Sequence, residues 1–290
     1  MGYKFKPESY IKPKTIKETT ETLTKHGETA RIIAGGTDLL VDKPEEARVL
    51  VDINGLNLCY ILESGQGVHI GATTTFKNLH ESSLIQAQPH KMVSDAAWKL
   101  GHYNLRNIAT VGGNICNGVP SADAPVALIA LDTQTVISGP EGERTEPLLE
   151  FYRFVRETTL TNGEFLRELV IPPQPRKTAA SFQKIGRTKI DIAIVNVACR
   201  LTLEKGVVKD SRIVLGAVAP TPIRAFEAED TLNDEQINPA LVEKVTELAA
   251  KATKPIDDVR SSAQYRREMT RVLTRRAIHD AYEKTSEASR

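Results

Sequence analysis

Residues 107–118 read Asn107-Ile108-Ala109-Thr110-Val111-Gly112-Gly113-Asn114-Ile115-Cys116-Asn117-Gly118, and an earlier loop reads Ile32-Ile33-Ala34-Gly35-Gly36-Thr37-Asp38. Each stretch has an apolar approach, two adjacent glycines and then a small polar side chain. Glycine adopts left-handed dihedrals and has no Cβ, so successive N–H groups of such loops can converge on an anion. Either loop alone is also typical of a tight turn. Together, the two loops predict a site that holds a pyrophosphate from two sides.

The standard nucleotide-binding and hydrolytic motifs are missing from the sequence. The first loop has adjacent glycines where the dinucleotide fingerprint requires G-x-G-x-x-G, and no Gly-Lys-Ser/Thr follows either loop. The sequence also lacks G-x-S-x-G and H-E-x-x-H, and its six histidines are scattered. These observations argue against a Rossmann domain, a P-loop enzyme and a hydrolase.

The composition is that of an ordinary globular protein. Of the 290 residues 40% are hydrophobic and 26% charged, and 38 basic against 37 acidic side chains leave a formal charge of +1. This balance gives no basis for nucleic-acid binding. The three cysteines, Cys59, Cys116 and Cys199, include no C-x-x-C pair, which favours reduced thiols in a cytoplasmic protein. No apolar run reaches membrane-spanning length, so we expect no membrane span.

Hydrophobic periodicity and turn residues predict a mixture of helices and strands up to residue 171. Helices are predicted over residues 15–26 (with a Thr15–Glu18 capping box), 73–84, 89–100 and 126–131. Strands are predicted over residues 30–34, 49–53, 135–138, 144–148 and, as a closing strand, 165–171. Ser64-Gly65-Gln66-Gly67 indicates a hairpin within residues 59–71.

Three prolines break the periodicity and mark a linker over residues 172–179. Beyond it, β-branched runs at 181–185, 192–203 and 210–218 predict a three-stranded antiparallel sheet. The final helix has an apolar stripe: Tyr265, Met269, Val272, Leu273, Ile278 and Tyr282. Its arginines indicate a solvated face or, as the alternative, a docking surface for a partner subunit: Arg266, Arg267, Arg271, Arg275 and Arg276.

The two loops, followed by SADAP at residues 121–125, resemble the FAD-binding medium subunit of the xanthine dehydrogenase and carbon monoxide dehydrogenase family of molybdenum hydroxylases. Four later blocks extend the resemblance over nearly the whole chain: LVIPP (169–173), FQKIGR (182–187), DIAIVNVACRL (191–201) and GAVAPTPIRA (216–225). The resemblance implies an α+β fold. An FAD-binding unit of the vanillyl-alcohol oxidase and MurB (PCMH) type would span residues 1–176, with subdomains at about 1–56 and 57–176. A domain like the C-terminal domain of CO dehydrogenase flavoproteins, with the three-stranded sheet and helices, would span 177–290.

In the family that this chain resembles, the two loops bind the FAD pyrophosphate and ribose across a groove. The resemblance assigns to one wall Ile33, Ala34, Gly35, Gly36, Thr37 and Asp38, and to the other Thr110, Gly112, Gly113 and Asn114. These residues would donate backbone and side-chain hydrogen bonds to phosphate oxygens. Thr37 and Asp38 are alternatively caps of the turn. We expect Cys116 to be a small apolar neighbour of the cofactor, because no second cysteine is near.

Five further positions match residues that contact FAD in the family. Asp123 corresponds to a carboxylate that accepts hydrogen bonds from the adenosine ribose hydroxyls, with helix N-capping as the alternative. Lys184 corresponds to a cation near flavin N1 and C2=O, which would stabilise the anionic reduced flavin; a solvated strand lysine is the alternative. Leu100 and Ile192 match positions against the flavin, with core packing as the alternative. Leu166 matches a residue whose backbone meets the pyrimidine edge, with a plain strand residue as the alternative.

The resemblance implies an oxidoreductase subunit that transfers electrons and has no catalytic side chain or metal site of its own. A large subunit would bind the molybdenum cofactor and a small subunit the iron–sulfur clusters, in a dimer of heterotrimers. Electrons would pass from the clusters through FAD to NAD+, a quinone, ferredoxin or oxygen. NICNGVPSADAP (114–125) favours xanthine dehydrogenase. The alternatives are the medium subunit of a carbon monoxide dehydrogenase or of an aldehyde or aromatic hydroxylase, a stand-alone FAD oxidoreductase, and a scaffold that has lost FAD.

Overall fold

A three-stranded parallel sheet forms the first part of the fold in the computed structural model, which describes residues 5–287. Its central strand is β3, which is buried along its whole length. The first helix is capped as predicted, because the Glu18 N–H donates to Thr15 Oγ1 at 3.0 Å. The elements are β1 (Ser9–Ile11), α1 (Ile16–His26), β2 (Ala30–Ile33), α2 (Leu39–Asp42) and β3 (Val49–Asp52).

A five-stranded antiparallel sheet with strand order β4-β5-β10-β6-β7 follows, together with six helices and a separate two-stranded ribbon, β8–β9. The strand at 165–171 pairs on both sides, so it is the centre of the sheet and does not close its edge as predicted. The elements are β4 (Ile61–Ser64), β5 (Gly67–Gly71), α3 (Phe76–Glu81), α4 (Ser83–Gln86), α5 (Lys91–Lys99), α6 (Tyr103–Arg106), α7 (Val111–Cys116), α8 (Ala124–Ala130), β6 (Gln134–Gly139), β7 (Gly142–Pro147), β8 (Tyr152–Phe154), β9 (Glu157–Thr158) and β10 (Phe165–Ile171).

The second glycine stretch is a short helix, α7, and not the open loop that the sequence predicted. Neither Gly112 nor Gly113 has a positive φ, so left-handed freedom is not the reason for glycine here. Instead, a Cβ on Gly112 would lie 2.6 Å from the Ala72 carbonyl oxygen. The glycine is needed because the helix packs directly against a neighbouring backbone.

The C-terminal part has a four-stranded antiparallel sheet, where the sequence predicted three strands. The additional strand, β14, has only two residues and lies just after Pro220 and Pro222, which concealed it. Helices α9 and α11 pack on this sheet and α10 packs on both of them, around a separate apolar cluster. The elements are β11 (Thr178–Ile185), β12 (Val195–Glu204), β13 (Val207–Gly216), β14 (Ile223–Arg224), α9 (Phe226–Leu232), α10 (Pro239–Lys251) and α11 (Ala263–Glu287).

The arginine face of α11 is only partly solvated. Arg266 is 2% exposed and donates to the carbonyls of Ile194 and Ala217 and to Asp258 Oδ1, so the prediction of a solvated face is wrong for this residue. Arg271 and Arg275 pair with glutamates of α10, whereas Arg267 and Arg276 are exposed. Within residues 5–287, none of the helices has the length and apolarity needed to cross a bilayer.

Candidate cofactor site

One cavity of about 730 Å³ lies where the three parts of the fold meet. Its volume falls in the range of cofactor and ligand pockets in proteins. All fifteen residues that the sequence assigned to a site line it: Ile33, Ala34, Gly35, Gly36, Thr37, Asp38, Leu100, Thr110, Gly112, Gly113, Asn114, Asp123, Leu166, Lys184 and Ile192. The chain therefore brings together residues that are up to 159 positions apart.

The first glycine loop connects β2 to α2 and touches the second glycine stretch. A Cβ on Gly35 would lie 2.1 Å from the Ile108 carbonyl oxygen, so only glycine permits this approach. Gly36 has φ +67°, a left-handed conformation that glycine adopts without strain. The N–H groups of Gly35, Gly36 and Thr37 have no hydrogen-bond partner among residues 5–287. The loop therefore has three successive unpaired donors beside the cavity, which is what a phosphate-binding loop requires.

The backbone donors of α7 are, in contrast, already used. The N–H groups of Gly112 and Gly113 donate to the Ala72 carbonyl at 2.9 Å and to Thr110 Oγ1 at 3.2 Å, and the Asn114 N–H donates to the Thr110 carbonyl at 3.0 Å. On this wall the available groups are side chains. Asn114 Oδ1 is buried and has no partner within the described chain. An unpaired buried amide of this kind lining a cavity fits a polar ligand.

Asp123 and Lys184, which both line the cavity, form a buried ion pair. Lys184 Nζ lies 2.5 Å from Asp123 Oδ2, and the two side chains are 5% and 4% exposed. Lys184 also donates to the Lys99 carbonyl at 3.1 Å, and the Asn196 amide donates to Asp123 Oδ1 at 2.7 Å. Burial raises the pKa of Asp123, and the Lys184 ammonium and the Asn196 amide oppose that rise.

This pairing corrects two expectations for Asp123 and Lys184. The Asp123 side chain makes no cap bond to α8, so the helix N-capping alternative is wrong, and Lys184 is not a solvated strand lysine. The resemblance gave the two side chains roles at the ribose and at the flavin, which lie far apart in an extended dinucleotide. Because their charged atoms are 2.5 Å apart, they face the same part of the cavity.

The three apolar positions occupy different environments. Ile192 is 57% exposed, so the core-packing alternative is wrong for it. Leu100 lies at the C-terminal cap of α5 and packs against the core as well as lining the cavity. Leu166 is buried on β10, next to a register shift in the pairing with β6.

Cys116 also lines the cavity. Burial raises the pKa of its thiol to about 12, which fits the expectation of an unreactive apolar neighbour of the cofactor.

Several residues of the site were missed by the sequence analysis. Arg156 and Asn117 line the cavity beside the first loop, and Asn196 holds Asp123 from β12. Arg156 has φ +59° and follows Phe154 and Val155, and no motif in the sequence marks it. Asn196 lies within a β-branched run and is fully buried, which is unusual for an amide and is the signal that could have identified it.

Comparison with known proteins gives consistent matches over the whole chain. Residues 3–174 match the family model described as the FAD binding domain in molybdopterin dehydrogenase, and residues 180–281 match the CO dehydrogenase flavoprotein C-terminal domain. The xanthine dehydrogenase FAD-binding subunit of Escherichia coli O157:H7 is 31% identical over 281 residues, covering 94% of this chain and 95% of that protein. The carbon monoxide dehydrogenase medium chain of Afipia carboxidovorans is 33% identical over 278 residues, covering 94% and 96%. A structure of carbon monoxide dehydrogenase from Hydrogenophaga pseudoflava superposes with a TM-score of 0.92 at 32% identity, covering 96% of this chain and 98% of that one.

Proposed function

Because the chain belongs to the family of FAD-binding medium subunits of molybdenum hydroxylases, we propose that the cavity holds FAD and that the chain passes electrons through it to an external acceptor. The observation that carries this proposal is the assembly of all fifteen predicted residues around one cavity. When bound, FAD would supply the redox chemistry, since a flavin can accept and release electrons singly or in pairs. The role of the chain is therefore to bind, orient and shield the cofactor.

The diphosphate is assigned to the first glycine loop. Its unpaired N–H groups at Gly35, Gly36 and Thr37 would donate to phosphate oxygens. Across the cleft, the Thr110 hydroxyl and the Asn114 Nδ2–H groups would donate to the diphosphate, while the backbone of α7 keeps its internal bonds. The unpaired Asn114 Oδ1 would accept from another polar group of the ligand. Gly112 and Gly113 then act by allowing close packing and exposing the helix surface to the ligand.

The flavin is assigned to the opposite end, near Asp123 and Lys184. Lys184 is bonded to the Lys99 carbonyl and so lies next to Leu100, the residue expected against the flavin. We therefore assign both Asp123 and Lys184 to the flavin end, with Leu166 beside them. Lys184 would place positive charge near the reduced ring, and Asp123 with Asn196 would fix its ammonium. Ile192 would cover the outer face.

The assembly and substrate follow from the relatives. Those named medium chain or complex subunit are parts of multi-subunit enzymes, and we propose a dimer of heterotrimers with a large molybdopterin-binding subunit and a small iron–sulfur subunit. A xanthine dehydrogenase-like complex is the main proposal. A carbon monoxide dehydrogenase is the second proposal, because its medium chain is 33% identical to this chain, against 31% for the xanthine dehydrogenase subunit.

The location and the domain boundaries are proposals as well. Free thiols support a cytoplasmic location. We propose functional domains at residues 1–176 and 177–290.

The experiment is an absorption spectrum of the purified protein before and after acid precipitation. Bands at about 370 and 450 nm that acid releases into the supernatant identify non-covalent flavin. Asn114→Leu removes the unpaired amide at nearly constant volume and should lower the bound flavin per chain. Asn104→Leu, an exposed position on α6 outside the cavity, should leave it unchanged. A colourless protein that also fails to bind added FAD would overturn the proposal.

A further inference from the structure

Carboxylates outnumber cations around the cavity. The lining side chains include five carboxylates, Asp38, Asp42, Glu46, Asp123 and Asp191, and three cations, Arg31, Arg156 and Lys184. A dinucleotide diphosphate carries two negative charges, so this surplus of carboxylates opposes its binding. The repulsion concerns the first glycine loop in particular, because Asp38 lies at its end and Asp42 one helical turn further on, and both line the cavity. Backbone donors alone would have to overcome this repulsion unless a cation takes part.

The hydrogen bonds of two of the three cations, among the described residues, do not join the two glycine stretches. Arg31 bonds to Glu46 at 2.5 Å and to the carbonyls of Glu28 and Ala30. Lys184 is held by Asp123 and the Lys99 carbonyl. Among the described lining residues, this leaves Arg156 as the cation whose contacts join α2 to the second glycine stretch.

Arg156 lies between the two walls of the cleft. Its Nη1 donates to Asp42 Oδ2 at 2.6 Å on α2 and to Asn117 Oδ1 at 3.0 Å just after α7. Its backbone N–H donates to the Gly118 carbonyl at 2.8 Å. Asp42 lies one helical turn beyond the first loop, because its N–H donates to the Asp38 carbonyl at 2.8 Å.

The guanidinium keeps donors for a ligand. Of its five N–H groups, Nη1 uses two and Nη2 one, the last in a long contact of 3.4 Å to Asp42 Oδ1. The Nε–H and the second Nη2–H have no partner within residues 5–287, and the side chain is 51% exposed. A guanidinium fixed on one edge and open on the other is suited to bidentate binding of a phosphate.

We propose that Arg156 binds the cofactor diphosphate and that Asp42 and Asn117 position its guanidinium for this contact. This inference rests on the proposed function, since it names a further residue of the same FAD site. It also gives the β8–β9 ribbon, which carries Arg156, a role that the glycine motifs do not suggest. Asp42 and Asn117 are positioning residues, since they act through Arg156.

The test is a titration of the flavin-free protein with FAD, followed by flavin fluorescence at several salt concentrations. Arg156→Gln should raise the Kd for FAD about tenfold at low salt, which corresponds to one charge-assisted contact of a half-exposed group. The dependence of Kd on salt should also become shallower, because a charge pair is lost. Arg156→Lys keeps the positive charge but loses the planar guanidinium that can donate two parallel hydrogen bonds. It should therefore retain the salt dependence and have a Kd between those of the wild type and Arg156→Gln.

Arg153→Gln is the matched control, because Arg153 is an exposed arginine on the same ribbon that does not line the cavity. It should leave both the Kd and the salt dependence unchanged. If wild-type protein binds FAD and Arg156→Gln binds it equally, or more weakly by the same factor at every salt concentration, Arg156 does not contact the diphosphate. If the wild type binds no FAD, it is the proposed function that fails.

Discussion

Lys184→Met tests the buried ion pair that closes one end of the cavity. The substitution keeps the length of the side chain but removes the ammonium that lies 2.5 Å from the Asp123 carboxylate. Among the described residues, Asp123 then keeps the Asn196 amide as its one side-chain donor, and its side chain is 4% exposed. Removing one partner of a buried pair costs about 3 to 5 kcal/mol, because the remaining charge is left without compensation. The retained amide favours the lower end, about 3 kcal/mol.

The loss of unfolding free energy caused by Lys184→Met should increase with pH. Burial already raises the pKa of Asp123, and losing Lys184 raises it further. A carboxyl whose pKa is higher in the folded than in the unfolded protein favours folding below its unfolded pKa, and this advantage is lost as the pH rises through the folded pKa. Each pH unit between those two values costs about 1.4 kcal/mol. The loss of unfolding free energy in Lys184→Met relative to wild type should therefore be larger at pH 8 than at pH 5.

The assay is urea unfolding followed by far-UV circular dichroism at both pH values. Asp123→Asn combined with Lys184→Met should recover most of the lost stability, because no buried charge remains. Lys209→Met is the matched control, since it breaks an exposed pair with Asp234 and should not move the midpoint. An equal deficit at pH 5 and pH 8, or none at either, would refute the reasoning.

Two further predictions concern the glycines and the thiols. Gly35→Ala should destabilise the protein and lower its bound flavin, because the new Cβ would lie 2.1 Å from the Ile108 carbonyl oxygen; Gly65→Ala, with no atom within 4 Å, is the control. Equal unfolding midpoints and flavin contents for the two variants would count against the close approach. At pH 8, iodoacetamide should label the exposed Cys59 long before Cys116, since a pKa of about 12 leaves roughly one thiolate in ten thousand. Peptide mass spectrometry that finds Cys116 labelled at the rate of Cys59 would contradict this.

Local sequence signals predicted most of the fold. The capping box at Thr15, the hairpin at residues 64–67 and the buried run at 49–53 depend on neighbouring residues only, and each is present. The helix α7 was missed because two adjacent glycines disfavour a helix on propensity alone. The Thr110 cap and the hydrogen bonds to the carbonyls of Ala72 and Thr74 stabilise this helix. Helix propensity depends on residue type alone and does not include such tertiary contacts.

The charged partners of the site could not be predicted from local patterns. Asp123 is 61 positions from Lys184 and 73 from Asn196, and periodicity contains no information about which of them meet. Arg266 presents the same difficulty. The spacing of the arginines on α11 predicted that Arg266 is solvated. Its buried guanidinium instead pairs with Asp258, which lies in the loop before the helix.

The cavity is not complete within the FAD-binding family match at residues 3–174. Lys184 and Asn196 belong to β11 and β12, and both reach back to Asp123 at the start of α8. The segment between these strands adds Ile190 and Ile192, which line the cavity although they are 55% and 57% exposed. These C-terminal residues contribute both a buried ion-pair partner and exposed apolar side chains to the cavity lining. The C-terminal part therefore sets the charge and the access at the end of the cavity assigned to the flavin, while the N-terminal part supplies the donors at the diphosphate end.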